Sequence, residues 1–127
     1  RYPNIQYSHD PISDSLFHDP NNGNQHGLSW ADWQREQVHK FVRQIYDIAM
    51  EIDPMLKVSA AVIGKYNYSF VSWDGYNACY QDGKQWTYEG KMDFLAPMMY
   101  WPIGQTNPWA PFEVLARDWV LCLFLRR

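Results

Sequence analysis

Apolar residues recur at steps of three and four through Val38, Phe41, Val42, Ile45, Ile48, Ala49 and Ile52. That spacing lays one continuous stripe along an α-helix. Ser29 stands at the N-cap position, Asp32 offers the carboxylate of a capping box three residues later, and Pro54 stops the run. The pattern predicts a helix over 29–53. Val58 to Ile63 is a short, apolar and partly β-branched run closed by Gly64, which predicts a strand over 57–64 buried on both faces. A second helix is predicted over 76–89, stopped by Gly90, and Met92 to Trp101 reads as another buried strand. Pro108 or Pro111 then starts a third helix, over 109–125, carrying Phe112, Leu115, Trp119 and Cys122. Residues 1–28 hold Asn, Asp, Ser and Gly broken by Pro3, Pro11 and Pro20, with neither period, and read as a long loop. Strands alternating with helices predict an α/β fold with parallel pairing through right-handed crossovers.

Composition narrows what this fold could do. At 127 residues and 46% apolar content the chain is the size of one domain with a real core. Its 11 basic and 14 acidic residues give a net charge of −3 without a basic stripe, so nucleic acid is not an expected partner. The longest apolar run, Val120 to Leu125, is far short of the roughly 20 residues that span a bilayer. Arg1-Tyr2-Pro3-Asn4 has neither the basic start nor the apolar stretch of a signal peptide. Cys79 and Cys122 lie among apolar residues in predicted helices and read as buried free thiols. His9, His18 and His26 with Asp14 and Asp19 match no metal-ligand spacing and read as a solvated loop. Gly64-Lys65 lacks the rest of a phosphate-binding loop, and no G-x-S-x-G elbow occurs. Neither a metal nor a cofactor is expected. The chain is, however, rich in rings: seven Trp, nine Tyr and six Phe, which suit sugar faces as well as cores.

In parallel α/β folds ligands lie at the carboxyl ends of the strands. Asp53, Glu89 and Asp93 then belong to the opposite end, and Asp10, Asp14, Asp19, Asp32, Glu36 and Asp74 to the working end. Asp32 is accounted for by its cap, and Glu36 by the helix dipole. Asp10, within Tyr7-Ser8-His9-Asp10-Pro11, has neighbours able to desolvate a carboxyl and raise its pKa toward that of a general acid. The alternative is a turn residue before Pro11. Tyr100 and Trp101, beside Pro102 at the end of the second strand, form a candidate sugar platform, with packing under a loop as the alternative.

Five stretches, in order, carry a resemblance. Arg1-Tyr2-Pro3 looks like the close of a strand-four motif D-G-I-H-x-D-Y-x-R-Y-P, and Tyr7 to Ser13 like the loop after it. Trp33-Gln34-Arg35-Glu36-Gln37-Val38 resembles W-R-R-x-x-V, and Gly75-Tyr76-Asn77-Ala78 matches G-Y-N-A. Met92 to Trp101 resembles the strand-six motif I-D-Y-I-A-P-Q-x-Y-W. These are motifs of glycosyl-hydrolase-like family ten, barrel proteins of bacterial envelopes associated with glycan strands. The chain departs from them at Met98, where the family often has Gln, and at Ala61-Val62-Ile63-Gly64-Lys65-Tyr66, in place of S-P-F-G-x-W.

The resemblance implies a partial (β/α)₈ TIM barrel, from the loop after strand four through helix six, in an extracytoplasmic protein. It implies part of a glycoside hydrolase acting through paired carboxylates on a bacterial or dietary polysaccharide, with peptidoglycan glycan favoured. Residues and resemblance together make Asp10 the catalytic candidate, and Tyr7, His9, Trp33, Arg35, Tyr66, Tyr100 and Trp101 the substrate-binding candidates. The rival readings are a non-catalytic sugar-binding or structural module, and an inactive truncated segment that self-associates through open sheet edges.

Overall fold

A computed structural model of the chain describes residues 9–68, 73–104 and 111–124. Its elements run α1 (Pro11–Phe17), α2 (Trp30–Ile52), β1 (Ser59–Ile63), α3 (Gly83–Tyr88), β2 (Phe94–Met98) and α4 (Phe112–Phe124). β1 and β2 form a two-stranded parallel sheet, with Ser59 opposite Phe94 and Ile63 opposite Met98. Parallel partners cannot be joined by a tight turn, so the chain between them makes a long excursion that includes α3. The result is a mixed α/β arrangement.

Local chemistry explains where each helix starts. Ser29 caps α2: its hydroxyl accepts from the Asp32 amide at 3.2 Å and donates to the Asp32 carboxylate at 2.6 Å. The expected loop over 1–28 contains α1, because Asp10 is an N-cap and Pro11 fills the first helical turn, where a missing amide costs nothing. Periodicity does not reveal α1, since its large apolar residues Ile12 and Leu16 face solvent. The helix expected over 76–89 starts only at Gly83, after Asp82, whose carboxylate accepts from the Gln85 amide. Tyr80, at φ 51, sits in the left-handed region and breaks any earlier helix. Cys79 is a buried free thiol as expected, but on this irregular stretch rather than on a helix. The side chain of Cys122 lies outside the described residues.

The core lies between the helices and one face of the sheet. Val62, Trp86, Met92 and Trp119 form its centre, with Val38, Val42, Leu95 and Met99 packed around them. The buried indoles keep their N–H groups satisfied: Trp119 donates to the Gly64 carbonyl at 2.8 Å, and Trp86 to His39 Nδ1 at 3.0 Å. The second bond needs an unprotonated imidazole nitrogen, in keeping with the burial that pushes the His39 pKa down. On the other sheet face Ile63 and Met98 are covered by Ala78 and Cys79, while Ser59, Ala61, Phe94 and Ala96 are exposed. The stripe of α2 is likewise only partly used, because Val38 and Val42 reach the core but Phe41, Ile45, Ile48 and Ile52 remain exposed.

Two features invite test. A Cβ on Gly64 would lie 2.6 Å from the Met98 carbonyl oxygen, a backbone atom that cannot yield without parting the strands. Gly64→Ala is therefore expected to cost more than about 1 kcal/mol in urea unfolding; an unchanged midpoint would show that the strand ends can separate freely. Arg43 ties α2 to the end of α3 by two bonds to Glu89, at 2.8 and 2.7 Å, and a third to Glu36 at 2.8 Å. The Arg43 hydrogen bonds bring the Glu89 carboxyl down to about 2 from 4.5. A depressed folded-state pKa stabilises above the unfolded value and is lost as pH falls from there toward the folded value. Comparing the protein with its Glu89→Gln variant should thus show an advantage of about 2 kcal/mol near neutrality that fades between about pH 4.5 and about pH 2. Parallel pH profiles would mean that the ion pair adds nothing.

Candidate functional site

The carboxyl ends of β1 and β2 open onto a loop that one buried carboxylate organises. Asp74 is 1% exposed and accepts from the amides of Tyr68 and Asn77, each at 2.7 Å, from Ala78 at 3.1 Å, and from the Asn77 side chain at 2.7 Å. Four donors fill the acceptor sites of one carboxylate, leaving it structural rather than free for proton transfer. The same loop is stitched to the chain beyond β1, because Gly75 donates to the Lys65 carbonyl and Tyr76 to that of Tyr66, both at 2.8 Å. Gln81 closes the strand end, its side-chain oxygen accepting from the buried Ile63 amide at 2.7 Å.

These constraints leave a cavity of about 240 Å³ at the strand ends, lined by Ile63, Lys65, Trp73, Met98, Tyr100 and Trp101. Its walls are mainly apolar, and the Lys65 ammonium lies 5.1 Å from the centre of the Trp101 ring. Tyr100 is 84% exposed. Whole ligand pockets usually enclose roughly 300–1,000 Å³, so this one suits a single ring of a longer molecule. Trp73 and Lys65 had no place among the sequence candidates. Lys65 could have been found from its position, one residue past the end of a predicted strand.

Of the sequence candidates, only Tyr100 and Trp101 meet in this cavity. Tyr7 lies outside the described residues. His9 is exposed and stacks on Trp30, with centroids 4.5 Å apart. Trp33 is buried against Phe17 and Trp30, its indole N–H donating to the Gly23 carbonyl at 3.1 Å, so its faces are taken by packing. Arg35 is also buried, its guanidinium 3.8 Å over the Tyr76 ring and paired with Asp32 at 2.7 Å. Tyr66 is half-buried, with its hydroxyl donating to Asp82 at 2.7 Å and its ring edge-on to Tyr76 and Trp119. The raised acid expected at Asp10 is corrected: the carboxylate is fully exposed, accepts from Ser13 and Ile12, and is held below its ordinary pKa first by the Ser13 hydrogen bonds. Asp14 lies near His18, Asp19 binds turn amides, and Glu36 pairs with Arg43.

Residues 4–121 match the family model described as Glycosyl hydrolase-like 10. The chain is 31% identical over 97 residues to glycosyl hydrolase YngK of Bacillus subtilis (strain 168), an alignment covering 69% of this chain and 18% of that protein. It is 25% identical over 99 residues to glycosyl hydrolase DigH of Escherichia coli (strain K12), covering 72% of this chain and 22% of the relative. The chain thus spans about a fifth of the length of the relatives it matches.

The corrected role of Asp10 can be checked directly. Asn caps helices about as well as Asp, so Asp10→Asn should leave amide exchange across 11–17 near normal, while Asp10→Ala should speed it. Unchanged exchange in the Ala variant would show that the cap adds nothing to α1.

Proposed function

The chain belongs to the glycosyl hydrolase-like 10 family, and from that membership we propose that it builds part of the substrate cleft of a glycoside hydrolase, with Trp101 and Tyr100 as the sugar platform. The observation that carries this is the exposed Tyr100 ring and the half-buried Trp101 ring lining a mainly apolar cavity at the carboxyl ends of parallel strands, the end where such folds place their ligands. C–H-rich sugar faces stack on flat rings, and the cavity accepts one such unit at a time. The substrate class is a bacterial or dietary polysaccharide, peptidoglycan glycan first among them, met outside the cytoplasm.

The architecture proposed for this cleft is a (β/α)₈ barrel, of which β1 and β2 with their helices are a section. In support, the core-facing side of the sheet carries the helices, while Ser59, Ala61, Phe94 and Ala96 leave the other side uncovered, as a strand pair cut from a barrel wall would. Hydrolysis needs two carboxylates flanking the glycosidic bond. Among the described residues lining the cavity there is none, so in this reading both acids come from other parts of the barrel. That same lining favours, as a second reading, a module that holds glycan without cutting it.

Titration of the intact protein with glycan oligomers separates platform from core. Trp101→Ala is expected to weaken binding at least about fivefold, in line with roughly 1 kcal/mol or more for the loss of an aromatic anchor at a binding site, with little change in stability. Unchanged affinity together with a large stability loss would make Trp101 a packing residue. The 127 residues alone should bind glycan weakly and cleave none. Cleavage equal to that of a whole protein of the family's usual length would place both acids within this chain.

A further inference from the structure

We infer that the cavity at the ends of β1 and β2 selects a sugar unit bearing a carboxylate, and that the Lys65 ammonium is the group that reads it. The inference rests on the saccharide reading above and adds its charge. Among the described residues lining the cavity, Lys65 is the one with a charged side chain; the rest are apolar or aromatic. Of the other four lysines, Lys84 pairs with Asp118 at 2.7 Å, Lys91 with Asp47 at 2.6 Å and Lys57 with Asp93 at 3.4 Å, while Lys40 is exposed on α2 and is not part of the lining of this cavity. Lys65 has no carboxylate within ion-pair distance among the described residues, and its ammonium rests instead over Trp101.

A cation over an indole face at a partly exposed site is held only weakly. Such a contact orients the ammonium without using up its three donors. An anion brought to an apolar wall meets that charge with less screening than in open water. The net charge of the chain is −3, so a general positive field would not be what draws an acidic ligand here. Position is also controlled. The Lys65 carbonyl is held by Gly75, and the preceding Gly64 is pressed against the β2 backbone, so the stem starts from a fixed point. Its four carbons let the ammonium leave the ring for a nearby carboxylate while the backbone stays still. A saccharide lying on Trp101 and Tyr100 thus has its ring face and its charge read by adjacent groups.

Two kinds of sugar carry such a carboxylate, a uronic acid on the ring carbon chain and a muramic acid through its lactyl ether. The test is calorimetry on the intact protein with oligogalacturonate and with peptide-free muramic-acid glycan, each beside its carboxyl-reduced counterpart. At least one acidic glycan should bind about tenfold or more tighter than its reduced form at low salt, with the gap shrinking as salt rises. The acid that shows the gap identifies the source. Lys65→Met should bring the ratio of acidic to reduced affinity to about one, and Lys65→Arg should keep it, with thermal melting confirming that both variants fold. Equal binding of acidic and reduced glycans, or a gap that survives in Lys65→Met, overturns the inference. If Trp101→Ala then still weakens both forms, the platform stands and only the charge reading falls; if no glycan binds at all, both fall together.

Discussion

The buried Asp74 carboxylate is the contact on which the working end of this chain depends. A carboxylate taken out of water is tolerated only when its lone pairs are filled, and Asp74 meets that condition with amides from Tyr68, Asn77 and Ala78 and the Asn77 side chain. Those bonds bend the chain back on itself. Gly75 and Tyr76 can then pair with Lys65 and Tyr66, Gln81 can reach the end of β1, and Ala78 and Cys79 can cover Ile63 and Met98. The cavity is what remains between this loop and the end of β2.

The rings divide by what happens to their polar edges. Trp33, Trp86 and Trp119 are buried, and each indole N–H finds a partner on another segment. Tyr66 does the same through Asp82. These four are packing residues that happen to be aromatic, and their bonds tie α2 to the preceding loop, α3 to α2, α4 to β1 and the segment after β1 to the start of α3. Tyr100 keeps its ring in water, and Trp101 shares the cavity wall with it. Residue type alone does not separate the two groups; the presence of a buried acceptor does.

Charge follows a similar division. Most described carboxylates near the working end are spent on the backbone or on a cation: Asp10, Asp19 and Asp82 on caps and turns, Asp32 on Ser29 and Arg35, Glu36 on Arg43. At the strand ends the described residues lining the cavity are apolar or aromatic apart from one ammonium.

Much of the scaffold was legible because it follows from local rules. The period of α2, its Ser29 cap, the two apolar strand runs and their parallel order can be read from side-chain spacing and turn residues alone. So could the working-end position of Tyr100 and Trp101, since strand direction decides which end a residue occupies. Tertiary structure decided the rest. The stretch over 76–82 has helical composition but is held as a turn by Asp74, a contact whose value depends on burial that spacing does not encode. The burial of Trp33 and Arg35, and the capping bonds of Asp10, likewise depend on which neighbour each group meets. Lys65 stands out only once the fold sets it beside Trp101 with no carboxylate near among the described residues, because an ion pair, or the lack of one, is a property of distance in space and not along the chain.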